Sequence, residues 1–553
     1  MRKLAGVLSV LSIALAAAPA AQAKVSVVRV ALNDSRVQVP QLEALGLDVS
    51  ENVRRHWAEV VSYGAADLAK LRAAGFTWKV TIADLAKRQH AWRMQDLAAV
   101  GTTSPLPSGR SGYRTYDDIL KELADLAQGH PGIAREITLP VKTVEGREIH
   151  GLEITKDVNA PNDGRPVFVY MSLHHAREWP TAEINMEFAH YLLENYGTST
   201  TVTNILDHER VFLIPVVNVD GYINSRGNLS SSNPLFADVY PSGGGDMRRK
   251  NCAADNAVEA TGDCTQRSGV DPNRNYGAFW GGDGADTDFD SETYRGTGPW
   301  SEPETQAIHQ FTQHLQVNTL ITMHNNAKLV LRPPGVASQG LAYDEPALKA
   351  LGAKMATATG YPNDYGWQLY DTNGTTEDWN YSAQGAFGYT IELGGSGFHP
   401  AYQGAVIDQW LGTGSANGQG GVKKALLVAA QNAMDPANHS VLIGTAPPGA
   451  TLRLKKTFQT STDPVCTVST SYECIAPMSP IQVDDQLDTT MVVPDSGQYH
   501  WDINPSTRPV VAKTGAKEAW TLTCENGAGQ VLETKSVQVD RGQQVTEDLS
   551  CGA

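Results

Sequence analysis

Apolar and polar positions divide the chain into three stretches of different rhythm. Between Tyr113 and about Ala437, short apolar runs alternate with helix-length amphipathic segments. The runs 168–172, 211–217, 320–323 and 387–391 lack the strict alternation of half-exposed strands, which predicts strands buried on both sides. Segments 116–126, 181–195, 303–314 and 421–433 predict helices; in 181–195, Ile184, Phe188, Tyr191 and Leu192 share one apolar face. Strands buried between helices imply an α/β fold, a sheet with helices on both faces. Ligands of such sheets gather beyond the carboxyl ends of the strands.

The flanks read differently. Residues 24 to about 99 combine strand-like runs at 25–30 and 78–82 with a helix-like stretch, 64–74, in which Leu68 and Leu71 recur at helical spacing. That predicts a small α+β unit. The run 101–109, rich in Gly, Thr, Ser and Pro, predicts a linker. Past Asp435-Pro436, strand-like runs at 441–443, 451–454, 490–493, 519–523 and 534–539 are separated by Gly, Pro, Ser and Thr, with no convincing helix. That predicts a small β-sandwich over 438–553. A chain of 553 residues exceeds one core, so about three domains are expected.

The start of the chain sets the compartment. Arg2 and Lys3 precede an apolar segment from Leu4 to about Ala18, and Ala21-Gln22-Ala23 offers small residues for cleavage. Residues 1–23 therefore read as a secretory signal peptide, and a secreted, extracellular or periplasmic protein is expected. No later run is long enough to span a membrane. Six cysteines fit export and fall into three local pairs: Cys252 with Cys264, Cys466 with Cys474, and Cys524 with Cys551. The formal net charge is -16, and loss of Arg2 and Lys3 makes it more negative by two. Such a surface disfavours nucleic acid and anionic membrane as partners. The acidic run 283–290 offers oxygen ligands for Ca²⁺, but reads more readily as a solvated loop.

Candidate chemistry clusters at the strand ends. His175 and Glu178, in His174-His175-Ala176-Arg177-Glu178-Trp179, follow the apolar run 167–171. An imidazole and a carboxylate suit Zn²⁺, and a catalytic zinc needs a third protein ligand with a fourth position left open. His324, after the apolar run 319–323, is the best third ligand. Glu392 ends another such run, so the four side chains can converge.

The ordered set of motifs resembles the zinc metallocarboxypeptidases of the carboxypeptidase A/B type over residues 113–437. It comprises His175-Ala176-Arg177-Glu178-Trp179, Asn218-Val219-Asp220-Gly221, Gly269-Val270-Asp271-Pro272-Asn273-Arg274-Asn275, Ser291-Glu292-Thr293-Tyr294, His324, Tyr370 with Asp378-Trp379, and Thr390-Ile391-Glu392. The resemblance implies a mixed carboxypeptidase-like sheet, one zinc on His175, Glu178 and His324, and Glu392 as the base that takes the water proton. It implies Arg274, beside Asn273, as the clamp for the substrate's terminal carboxylate, Tyr370 as a mobile cap, and Arg177 as a guide for the peptide. Asp271 would fix the tautomer of His175, and His174 would pack behind it. The partners implied are peptide or protein C-termini. An exported hydrolase of this kind with a small leading unit suggests a propeptide over 24–112, released by an activating protease; a permanent accessory domain is the other reading. A monomer is expected.

The stretch Met247-Arg248-Arg249-Lys250-Asn251-Cys252 departs from the family. Arg249 matches the first of two arginines, but Cys252 stands where the second, which stabilises the oxyanion, belongs. Arg249, Arg248 or Arg267 substitutes, or the metal carries more of that task. Glu377 falls at the base of the family's specificity pocket, where a carboxylate favours C-terminal Lys or Arg; the alternative is that it points away or pairs with a nearby cation. Gly335 on the opposite wall would leave room for a long side chain. Two rivals remain: a cell-wall peptide amidase on the same fold, and a catalytically weak peptide-binding module.

Overall fold

The structure, a computed structural model, describes residues 24–99, 101–226, 247–253, 264, 269–414, 418–465 and 478–552. The expected signal peptide, Arg267 and the Cys466/Cys474 pair lie outside these residues. No helix among them is long and apolar enough to cross a membrane.

The N-terminal unit is a four-stranded antiparallel sheet of β1 (Ser26–Ala31), β2 (Asp48–Arg54), β3 (Trp57–Ser62) and β4 (Trp78–Ile82), in the order β2-β3-β1-β4. The helix Ala65–Ala73 was legible in the sequence; Ser35–Ala44 and Leu85–Ala99 were not. Ser35–Ala44 contains Pro40 and β-branched residues, a poor helical composition, and is started by Asp34, whose carboxylate accepts from Arg36 N. The run 101–109 is no free tether. Leu106 is buried in the central core, and Ser108 N donates to Glu187 at 3.0 Å.

The central sheet holds β5 (Ala134–Thr138), β6 (His150–Ile154), β7 (Val167–Ser172), β8 (Arg210–Ile214), β9 (Val317–Asn325), β10 (Leu329–Arg332), β11 (Asn363–Tyr365) and β12 (Phe387–Leu393). Their order is β11-β10-β12-β9-β7-β8-β6-β5. The middle strands β12, β9, β7 and β8 run parallel, with antiparallel pairs toward both edges. This is the mixed sheet expected, and every residue of β7, β9 and β12 is buried. The strand expected over 211–217 stops at Ile214, because Pro215 cannot donate to the ladder. Helices Trp179–Asn195 and Gly421–Ala433 pack on the sheet with apolar residues.

The C-terminal unit is a sandwich of two sheets. Its strands are β13 (Ser440–Thr445), β14 (Thr451–Val465), β15 (Ser479–Val492), β16 (Gln498–Ile503), β17 (Trp520–Glu525), β18 (Val531–Val537) and β19 (Gln544–Thr546). The sheet orders are β16-β13-β19 and β15-β14-β17-β18. Leu454, Leu487, Trp501 and Trp520 lie in its separate core. Strands β14 and β15 run far beyond the segments legible in the sequence. Their outer halves are polar, so no apolar alternation announces them. Cys252–Cys264 and Cys524–Cys551 are bonded.

One buried acid carries a stability prediction. Glu209, at the end of helix Thr200–His208, is fully buried, and neither carboxylate oxygen has a partner among the described residues. Burial pushes its carboxyl well above the ordinary range. The native state therefore keeps a proton that the unfolded chain releases, and stability falls as pH rises past the unfolded pKa. Glu209→Gln is expected to raise the melting temperature by about 2–4 °C near pH 8 and to leave it nearly unchanged near pH 4. An equal shift at both pH values, read by calorimetry, would contradict this account.

Candidate metal and substrate site

The site lies beyond the carboxyl ends of β7, β9 and β12. These three strands are adjacent and parallel, so residues just past each end reach one point. After β7 the chain turns sharply at Leu173, whose φ of 54° is left-handed and rare for a branched side chain. That turn carries His175 over the sheet edge. Glu178 sits at the N-cap of helix Trp179–Asn195, with Pro180 early in the helix, so its carboxylate points back toward the strand end. His324 lies near the end of β9, and Glu392 is its direct partner in the parallel register of β12.

His175, Glu178 and His324 are all buried, and their ligand atoms lie within 4.8 Å of one another. The two Nδ1 atoms are 3.1 Å apart. His175 Nδ1 stands 2.7 Å from Glu178 Oε1, and His324 Nδ1 stands 3.1 Å from Glu178 Oε2. Tetrahedral zinc bonded to two imidazoles separates the nitrogens by about 3.3 Å, so the trio fits that ion. The outer nitrogens are also held: His175 Nε2 meets Asp271 Oδ1 at 3.1 Å, and His324 Nε2 meets Thr322 Oγ1 at 3.2 Å. Such contacts present Nδ1 to a metal. Burial alone would depress the His175 pKa, but Glu178 and Asp271 carry it up to about 9. Against burial, the two imidazoles hold Glu178 below the usual carboxylate range. His174 lies behind the trio, its Nε2 2.8 Å from the Tyr276 hydroxyl, as expected of a packing residue. A second cluster, Glu145 with Cys252 and Cys264, offers no ligand set because its cysteines are bonded together.

Of the residues expected from sequence, His175, Arg249, Asn273, Arg274, Tyr370, Glu377 and Glu392 line one cavity. Arg177 does not line it; it is buried between Asp48 and the Phe398 ring. Arg274 is anchored through Nε to Gly284 O at 2.7 Å and through Nη1 to Asn273 O at 2.8 Å. Asn273 Oδ1 accepts from Thr376 N at 3.0 Å, which ties Arg274's turn to the helix Thr376–Trp379 carrying Glu377. Burial first, and then the charge of Glu178, raises the Glu392 carboxyl; its Oε2 has no partner among the described residues. Burial likewise raises Glu377, whose Oε2 is also unpartnered.

Cys252 is bonded to Cys264, whereas Arg249 reaches the cavity and binds Asp271 Oδ2 through Nε at 2.9 Å and Nη2 at 2.8 Å. Arg248 turns to Asn251 O instead. Gly335 corrects the reading of the opposite wall. A Cβ there would fall 2.5 Å from Thr372 Oγ1 and 2.9 Å from Asp378 Oδ2, so its bareness admits Thr372 and Asp378, not a substrate side chain. Both Asp378 oxygens accept from Gly335 N at 3.0 Å. The acidic run 283–290 brings no three ligand atoms together among the described residues; Asp286 and Asp288 instead cap backbone N–H groups of their own loop.

Two participants from the N-terminal unit had no signal in the sequence. Asp48 on β2 grips Arg177 Nη1 at 3.0 and 2.8 Å, and Glu51 pairs with Arg249 and stands 3.8 Å from His175 Nδ1. Tyr370 packs into the N-terminal unit's own apolar core. Near them, burial pushes Glu43 up to about 7 against the pull of Arg274 and Arg249. The space left in the cavity is about 40 Å³, room for a few waters and not for a peptide residue.

A family model described as zinc carboxypeptidase matches residues 119–409. Carboxypeptidase A1 of Mus musculus is 32% identical over 293 residues, covering 52% of this chain and 63% of its own length. The chain thus spans less than two thirds of that relative. The zinc carboxypeptidase of Saccharothrix mutabilis subsp. capreolus is 27% identical over 331 residues, 56% of this chain and 70% of that one. Carboxypeptidase A from Helicoverpa armigera has a TM-score of 0.61 at 22% identity, covering 75% of this chain and 98% of its own. Thrombin activatable fibrinolysis inhibitor has a TM-score of 0.56 at 22% identity, with 74% and 98% covered. These two structural likenesses speak for the fold.

Proposed function

Because this chain belongs to the zinc carboxypeptidase family, we propose that it hydrolyses the C-terminal peptide bond of peptides and proteins. The observation that carries the reading is the buried His175–Glu178–His324 trio with Glu392 on the neighbouring strand and Arg274 in the same cavity. Zinc, when bound by the trio, supplies Lewis-acid polarisation and an acidified water. The protein's own groups do the rest. Arg274, already anchored, receives the terminal carboxylate of the substrate, which an endopeptidase would have no need to bind. Glu392 takes the water proton and returns it to the leaving amine, from its place opposite His324 in the register and on the same cavity wall as Arg274. Arg249 supplies positive charge for the developing oxyanion in place of the arginine missing at Cys252. Tyr370 caps the bound residue, and Arg177 guides the peptide once Asp48 has left it.

The unpartnered Glu377 oxygen at the cavity wall favours a basic terminal side chain. The N-terminal unit acts as a propeptide, and the chain works outside the cytoplasm, in keeping with its bonded cysteine pairs. The test is zinc content together with cleavage of peptides ending in Lys, Arg, Phe, Leu or Glu, and of amidated controls, after release of the N-terminal unit. Single residues should leave free-acid peptides only, with Lys and Arg preferred. Glu377→Gln should then lower that preference by about tenfold. Cleavage of muropeptides alone would point to the amidase, and bound zinc without any cleavage to a binding module.

A further inference from the structure

The C-terminal sandwich grips the walls of the substrate cavity at two points. The first is Asp485 on β15, which is 4% exposed. Its Oδ2 accepts from the indole Nε1 of Trp379 at 3.1 Å and from Thr460 Oγ1 at 2.9 Å. Its Oδ1 accepts from Gln313 Nε2 at 2.7 Å and faces His309 Nε2 at 2.9 Å. Trp379 lies midway along a helical segment that starts with Thr376–Trp379, which carries Glu377, and runs on into Asn380–Gln384. The first turn of that segment is tied to its surroundings at Thr376, on Asn273, and at Trp379, on Asp485.

The second point is the outer half of β14. Phe279 N donates to Ser461 O at 3.3 Å, and Asp463 N donates to Trp280 O at 3.1 Å. A Cβ on Gly282 would lie 2.0 Å from Asp463 Oδ2, so the loop and the strand are in close contact. The same loop ends in Gly284, whose carbonyl holds Arg274 Nε. One hairpin thus braces both the loop behind the carboxylate clamp and the helix beneath the specificity residue.

We propose that the C-terminal domain is a positioning element of the substrate site, and that Asp485 is a positioning residue for Glu377 through Trp379. The link to substrate rests on the carboxypeptidase reading. The brace itself does not. It predicts that loss of the Asp485–Trp379 bond loosens residues 376–384 while leaving the zinc trio and its metal in place.

The experiment uses the full chain, with the N-terminal unit released where activity is read. Asp485→Ala and Trp379→Phe are compared with wild type; the second removes the indole donor and keeps a ring in the core. Amide exchange over 376–384 should quicken by about tenfold in both, with zinc content unchanged. KM for a peptide ending in Arg should rise by about tenfold with kcat within about twofold, and the Arg-to-Leu preference should fall. Asp485→Asn, which keeps one acceptor oxygen, should restore part of each effect. Folded variants with wild-type exchange in this segment would overturn the brace whatever the activity. Faster exchange with unchanged KM and preference would overturn the role in substrate positioning. A wild-type protein that cleaves no peptide would instead overturn the carboxypeptidase reading, with exchange still deciding the brace.

Discussion

Glu392→Gln is expected to keep its zinc and to lose at least about a thousandfold in kcat, with KM for the terminal residue nearly unchanged. The amide is isosteric, so the wall of the cavity is preserved, and none of the three metal-binding side chains is touched. What disappears is the only function an amide cannot perform, accepting a proton and giving it back. Glu392 is well placed for that role: it sits opposite His324 in the register, buried, and with one oxygen free of protein partners among the described residues. Stopped assays on an Arg-ended peptide, with metal analysis of the same sample, decide the matter. Turnover within about tenfold of wild type would remove Glu392 as the base.

Cleavage between Ala99 and Leu106 is expected to raise activity by at least about a hundredfold. Before it, Arg177 is held by Asp48 and Arg249 by Glu51, both in buried pairs, and Tyr370 lies in a foreign core. Substrate cannot reach groups that are already paired. The cut is expected at this point because Leu106 and Ser108 belong to the central unit by packing and hydrogen bonding. A double variant, Asp48→Asn with Glu51→Gln, should give the uncut chain about tenfold more activity on small substrates. Breaking a buried ion pair from one side costs about 3–5 kcal/mol, and here that cost falls on the closed form. Equal activity in cut and uncut protein would mean that the N-terminal unit is a permanent accessory domain.

The parts of the site that were legible in the sequence share one property. His175, His324 and Glu392 each follow an apolar run long enough to be a buried strand, and strand ends of such a sheet converge by topology. The central fold was legible for the same reason. Arg249 was only half legible: the motif left three arginines open, and its place on the cavity wall, with Arg248 turned to Asn251 O, comes from the backbone path and not from the motif. Gly335 was misread because a bare position admits whatever stands closest in space, and here that is Thr372 and Asp378. Asp48, Glu51 and Asp485 left no trace. Each acts through polar contacts on a residue more than a hundred positions away. Strands β14 and β15 were underestimated for a related reason: one of their faces packs through polar contacts, which imitate a solvated surface.

The way β9 is finished has a consequence for synthesis. Asn504, from the C-terminal sandwich, donates to Val317 O at the start of that strand at 2.6 Å. Gln316 accepts in turn from Asn504 N at 2.8 Å. A ribosome delivers β1–β4 first and these partners nearly last. On the propeptide reading, the covering unit is therefore synthesised before the strand that bears His324 can receive its final support, so translation order favours a cleft that is covered by the time it is complete.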